Sequence, residues 1–147
     1  MQRTSLWVSG LKAVAGALVA TSAVRAVAVT LLDIPPDFQP LDGPGPVVFF
    51  TGISAVVAVG VYAVVRRVAL DPDFAFRWVA GVVLVLSVMP DLWLLSDSAE
   101  DAFPGATPTA VLVLIVLHIA AAVPIVWFLT TGGPGRADET SGEIPSG

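Results

Sequence analysis

Residues 109–129 read TAVLVLIVLHIAAAVPIVWFL, a run without a single acidic side chain, Lys or Arg. About 20 apolar residues in a helix are enough to cross the ~30 Å of hydrocarbon in a bilayer. The valines favour strands in water, but an open strand in lipid would leave its backbone groups unpaired. The stretch therefore predicts a transmembrane helix.

Three similar runs precede it, so that spans are predicted at about 7–32, 47–66, 77–96 and 108–130. The whole chain is 56% hydrophobic and only 13% charged, with a mean hydropathy of +0.87. Soluble domains are about a quarter charged. The links between the runs are short, which makes sequential helices antiparallel. We predict an all-α fold, a transmembrane up-down four-helix bundle over residues 1–131, and a disordered cytoplasmic tail over residues 132–147.

Charge placement predicts that both termini are cytoplasmic. Apart from Arg25, the basic residues lie toward one side of the predicted bundle, whereas the loops on the other side carry acids and no Lys or Arg. The positive-inside rule puts the basic side in the cytoplasm. Three tryptophans fall at the inner boundary and one falls near the outer boundary, as expected of membrane anchors: Trp7, Trp78, Trp127 and Trp93. The predicted location is the cell membrane, with multiple passes.

A cleaved signal peptide is the alternative reading of the first run. Arg3 and Lys12 precede an apolar stretch, and Ala26-Val-Ala28 resembles a cleavage site. The run is long for a signal peptide, however, and it ends only at Asp33. The residues therefore favour a first transmembrane span.

Composition excludes several functional classes. The chain has no cysteine, which excludes disulfides, thiolate metal sites and thiol redox chemistry. Its net charge of −5 disfavours nucleic acid as a partner. An acidic chain with one lysine fits a salt-adapted organism such as a halophilic archaeon. We find no catalytic, cofactor-binding or metal-binding motif and predict no cofactor.

Four polar residues at membrane depth form a candidate intramembrane polar cluster: Arg25, Ser87, Asp91 and His118. Arg25 lies about 12 Å below the outer edge of its span, and Asp91 lies about 9 Å below the same surface. A charge at such depth is expensive, so that an Arg25–Asp91 pair extended by His118 would stabilise both charges. Such clusters line ligand or transport routes, but they also hold helices together.

Each charge has a simpler interpretation as well. Arg25 could snorkel to the outer surface. Asp91 would lie at the interface if its span ended at Pro90. The lone histidine has no second copy to complete a bis-histidine haem site and no Cys or Glu nearby for a metal.

The sequence resembles an uncharacterised four-helix membrane family, the domain of unknown function 6069, over roughly residues 10–130. The resemblance rests on the basic N-terminus, on the Pro- and Asp-rich first outer loop, and on four short motifs: Arg66-Arg67, Phe76-Arg77, Ser87-Val-Met-Pro-Asp91 and Leu117-His118. It implies an integral membrane fold and no activity. Members of that family tend to carry Asn about where Arg25 lies, so the resemblance gives Arg25 no family-wide role.

Three functions stay open. The lack of chemical motifs and the small residues on the helices favour a non-enzymatic membrane component that packs with itself, as a homo-oligomer, or with a larger membrane partner. The second is an oligomeric transporter of a small solute or anion that uses Arg25. The third, an enzyme acting on a lipid or quinone, would need Asp91 and His118 within hydrogen-bond reach.

Overall fold

A computed structural model describes residues 2–96, 99 and 102–131, with side chains from residue 6 onward. Four long helices and one short helix account for most of this part, and no strand occurs in it. The helices are α1 (Gln2–Leu31), α2 (Gln39–Asp42), α3 (Pro44–Val68), α4 (Pro72–Trp93) and α5 (Pro108–Thr131). The predicted tail, residues 132–147, lies outside the described residues.

Proline and side-chain caps fix where the helices begin. Pro72 occupies the first turn of α4, where its missing N–H costs nothing. The Asp71 carboxylate caps that turn by accepting a hydrogen bond of 3.0 Å from the Phe74 N–H. Thr107 caps α5, because its hydroxyl accepts from the Ala110 N–H at 3.2 Å. As a result α4 begins at Pro72, whereas the predicted span begins at residue 77. The first turn of the helix contains polar residues, so hydropathy alone does not include it in the span.

Consecutive long helices run antiparallel. The first half of α1 meets the second halves of two other helices. A Cβ placed on Gly10 would lie 3.0 Å from Val59 on α3, and one on Gly16 would lie 2.9 Å from Phe128 on α5. The start of α4 meets the end of α5, where Arg77 contacts Thr130. Each long helix packs mainly on two neighbours, in the order α1, α3, α4, α5 around the bundle, and α3 also contacts α5. The most extensive packing is that of α1 on α5.

Two apolar clusters fill the ends of the bundle. One contains Ala13, Ala17, Ala55 and the ring pair Tyr62–Phe76, whose centroids are 5.0 Å apart. The other is closed by the link between α1 and α3, where the side chains of Phe38 and Leu41 are fully buried.

A second link, between α4 and α5, packs against the first. A Cβ on Gly105 would lie 3.0 Å from the Pro35 Cβ and 3.3 Å from the Phe38 nitrogen. Gly105 also has a φ of 78°, which favours glycine. The close approach of the two links thus depends on the absence of a side chain at this position.

All four long helices are long and apolar enough to cross a membrane. Their outer surfaces remain covered with exposed Val, Leu, Ile and Phe side chains. All four tryptophans are also exposed, between 48% and 76%. An apolar surface of this extent is what a bilayer requires. We therefore describe the chain as a multi-pass membrane protein.

Candidate functional site

Asp91 and His118 meet between α4 and α5. Asp91 lies in the last turn of α4 and His118 lies near the middle of α5, and the antiparallel packing brings the two together. The His118 Nδ1 atom is 3.0 Å from Asp91 Oδ2. The Asp91 side chain is 9% exposed, whereas the His118 side chain is 37% exposed. The aspartate is therefore buried behind a histidine that remains accessible.

The neighbours of Nδ1 determine where the ring carries its hydrogen. Besides the Asp91 oxygen, Nδ1 lies 2.9 Å from the Leu114 carbonyl, one turn earlier on α5. Both neighbours are acceptors, so that Nδ1 carries the hydrogen. The N–H points to the Leu114 carbonyl, which leaves Asp91 Oδ2 buried without a well-directed hydrogen bond. The other ring nitrogen, Nε2, has no partner among the described residues.

The accessible side of His118 lines an open groove with a volume of about 1280 Å³. Side chains of α3, α4 and α5 form its walls, and most of them are apolar, including Phe49, Ile53, Val83 and Ala122. No Lys or Arg lines it among the described residues. The groove is therefore an apolar cleft with a few polar groups, of which Asp91 and His118 are the ionisable ones.

Ser87 lines the same groove but does not join the Asp91–His118 contact. Its hydroxyl donates to the Val83 carbonyl at 2.6 Å, one turn earlier on α4. Such a bond back to the helix is the usual way in which serine satisfies itself inside a helix. Three of the four predicted residues, Ser87, Asp91 and His118, thus share one cavity.

Arg25 lies elsewhere, and the expected Arg25–Asp91 ion pair is not formed. An Nη nitrogen of the guanidinium donates to the Leu41 carbonyl at 2.9 Å and to the Asp42 carbonyl at 3.3 Å, while Nε is buried without a partner. These carbonyls belong to the last residues of α2, where helix carbonyls lack intrahelical partners. The short helix α2, which the sequence did not predict, gives Arg25 a nearer set of acceptors than Asp91.

The sequence analysis did not predict a second set of polar contacts, which lies at the end of the bundle where α3 ends and α4 begins. The Tyr62 hydroxyl donates to Asp73 at 2.6 Å, and the Arg66 guanidinium lies 5.8 Å from the centre of the Tyr62 ring. Arg77 donates to the Thr130 hydroxyl at 3.2 Å. A signal was available, because Tyr62 is the only tyrosine in the chain and lies in the last third of the span that precedes the Asp71-Pro-Asp73 link.

No three His, Cys, Asp or Glu side chains converge on a common point in the described part of the chain. Asp91 and His118 alone provide two ligands, fewer than the three that catalytic zinc sites use. What the arrangement offers chemically is one accessible ring nitrogen beside a buried carboxylate.

Comparison with known proteins agrees with the resemblance predicted from the short motifs. No curated protein and no solved structure is detectably similar to the chain. One family model matches, over residues 1–133, which contain all the described helices. The chain therefore belongs to the family of unknown function DUF6069.

Proposed function

We propose that this protein is a non-enzymatic component of the cell membrane that binds a lipid-soluble molecule in the groove between α3, α4 and α5. The size and the apolar walls of this groove support the proposal. Its volume of about 1280 Å³ exceeds the ~300–1,000 Å³ of sites for drug-sized ligands, and its walls are mainly apolar. Inside a bilayer an open cleft of this kind is reached from the lipid phase, so an extended apolar molecule fits it.

The groove walls favour a flexible chain over a partner helix. Tight helix contacts in membranes use small residues that let the backbones approach. Large side chains such as Phe50, Ile53 and Val61 stand among the small residues that line the groove, and they hinder so close an approach. Two glycines of α3 with open space around them, Gly52 and Gly60, lie outside the groove.

Self-association is the second candidate function, because there is open space beside those two glycines. A Cβ on Gly52 or Gly60 would meet nothing within 4 Å. The two residues are eight positions apart, which puts them about 80° from each other around α3 and within one broad face. This face supports the packing role in a homo-oligomer or with a larger membrane partner.

The other two functions receive less support. Transport of an anion was expected to use Arg25, but Arg25 contacts backbone carbonyls and does not line the groove. A hydrolase would need an activated nucleophile beside His118, and the Ser87 hydroxyl donates to its own helix. Only the Asp91–His118 contact supports an enzyme that acts on a lipid or quinone.

Binding in the groove is testable through Trp93, which lines it. In a variant with Phe at positions 7, 78 and 127, the fluorescence of Trp93 would be quenched by the nitroxide of 12-doxyl-stearic acid methyl ester in detergent. We expect saturable quenching in this background. The groove-filling change Ala122→Phe should abolish saturation, whereas Ala23→Phe, on an exposed position of α1 outside the groove, should not. Equal, unsaturable quenching in all three proteins would contradict the proposal.

A further inference from the structure

We propose that the ligand of the groove is a neutral, single-chain amphiphile with a hydroxyl head, and that this hydroxyl donates a hydrogen bond to His118 Nε2. The inference rests on the proposed function of the groove and adds the chemical class of its ligand.

The tautomer of His118 makes Nε2 an acceptor. Nδ1 lies between the Leu114 carbonyl and the Asp91 carboxylate, at 2.9 Å and 3.0 Å, and only a protonated Nδ1 is compatible with two acceptors. In a neutral imidazole the other nitrogen then has a free lone pair. Nε2 has no partner among the described residues, and His118 lines the groove. A bound molecule that donates a hydrogen bond would therefore complete the ring's hydrogen bonding.

Asp91 strengthens this acceptor without touching the ligand. Its Oδ2 is buried, lacks a directed hydrogen bond and lies 3.0 Å from Nδ1. A buried carboxylate without hydrogen bonds attracts the partial positive charge of the Nδ1–H group. A hydrogen bond accepted at Nε2 increases that partial charge, so that the nearby carboxylate makes this hydrogen bond stronger. Asp91 is therefore a positioning residue for His118.

The charges that line the groove select the head group. The lining contains the acidic Asp91 and, among the described residues, no Lys or Arg. Phosphate and carboxylate heads would be repelled by Asp91 and would find no cation, which disfavours phospholipids and fatty acids. A ketone or ether could not donate to Nε2. An alcohol or phenol that carries an apolar tail meets both conditions, because its hydroxyl donates and its tail contacts the apolar walls.

His118 is the only histidine in the chain, so that ¹⁵N-histidine labelling reports one residue. The protein would be purified through a tag without histidine, in lauryldimethylamine oxide, a detergent without hydroxyl groups. The probe is 4-dodecylphenol, and dodecylbenzene is the matched control without the hydroxyl. The free protein should show a protonated Nδ1 and an unprotonated Nε2. On titration with the phenol, the Nε2 signal should move saturably toward the protonated range, whereas dodecylbenzene should leave it in place.

Competition with the nitroxide probe at Trp93 measures the affinities of both compounds. A neutral hydrogen bond predicts that the phenol binds about fivefold more tightly than dodecylbenzene. In Asp91→Asn this preference should become smaller, because the hydrogen bond to Nε2 loses the carboxylate that strengthens it.

The outcomes separate the two proposals. Equal binding of both compounds with a stationary Nε2 signal would overturn the hydroxyl ligand and leave the groove as a binding site. Failure of both compounds to compete would remove the groove proposal as well. A resting spectrum with protonated Nε2 and bare Nδ1, or an undiminished preference in Asp91→Asn, would overturn the proposed roles of His118 and Asp91.

Discussion

Arg25 and Asp91 each place a charged group in an apolar bundle, and the two groups have different kinds of partner. Arg25 donates to two carbonyls at the end of α2. Asp91 has the imidazole of His118 beside it. Removal of one partner from a buried pair leaves an uncompensated group and costs ~3–5 kcal/mol. The energetic coupling of Asp91 should therefore be with His118 and not with Arg25.

Double-mutant cycles of leucine substitutions test this pairing. We expect Asp91→Leu and His118→Leu to be coupled by ~0.5–3 kcal/mol in the free energy of unfolding, because the two side chains touch. Arg25→Leu and Asp91→Leu should be additive within ~0.5 kcal/mol, because they share no partner. Reversible unfolding in detergent supplies both values. A larger coupling for Arg25 with Asp91 than for His118 with Asp91 would contradict the observed contacts.

The helices themselves pack through a small number of close approaches. At Gly16 a Cβ would lie 2.9 Å from a ring carbon of Phe128 and 3.1 Å from the Pro124 Cβ. The ring can shift, but proline is rigid. A Cβ on Gly60 would meet nothing within 4 Å, although Gly60 is also a glycine inside a membrane helix. The two glycines thus have different roles that composition alone does not separate.

Alanine substitutions at these two glycines should have opposite effects on stability. Gly16→Ala should lower the free energy of unfolding by about 1 kcal/mol, and Gly16→Val by more, because the added methyl groups overfill the α1–α5 contact. Gly60→Ala should be neutral or stabilising by ~0.5–1 kcal/mol, since it only reduces the freedom of the unfolded chain. Thermal unfolding in detergent compares the three variants. A Gly16→Ala variant as stable as Gly60→Ala would show that the α1–α5 contact is looser than described.

The start of α4 depends on a single side-chain cap. Asp71→Ala should cost about 1 kcal/mol, because the Phe74 N–H loses its acceptor. Asp71→Ser should retain most of the stability, since serine caps helices about as well as aspartate. The same unfolding assay measures both variants. A serine variant as unstable as the alanine variant would indicate that the charge of Asp71, and not its cap, matters.

Hydropathy and proline placement were sufficient to predict the four long helices, because lipid demands length and apolarity of each span. They did not predict α2 or the burial of Phe38 and Leu41. Phe38 and Leu41 pack against residues of the long helices at one end of the bundle. The local sequence does not indicate that contact. Depth estimates from the helical rise placed Arg25, Asp91 and His118 at a similar depth in the membrane. They did not tell which direction each side chain takes around its helix axis. The rotation of each helix decides which polar residues meet, and it depends on the packing of all four.

At the scale of the whole molecule, the orientation in the membrane remains our proposal from the positive-inside rule, with both termini cytoplasmic. The native chain has no cysteine, so that single introduced thiols can be labelled without background. Asp37→Cys, on an exposed position of the first outer link, should react with a membrane-impermeant maleimide on intact cells. Leu70→Cys, at a fully exposed position of the inner link, should react only after permeabilisation. The reverse labelling pattern would invert the topology.

The extensive packing of α1 on α5 has a consequence for biogenesis. The first long helix to be synthesised has its main partner in the last, and the contacting residues Gly16 and Phe128 stand far apart along the chain. Until α5 enters the bilayer, the small-residue face of α1 contacts lipid or an insertion factor in place of α5. We therefore expect a nascent chain that stalls after α4 to be recognised by membrane proteases, although three of its four spans are already in place.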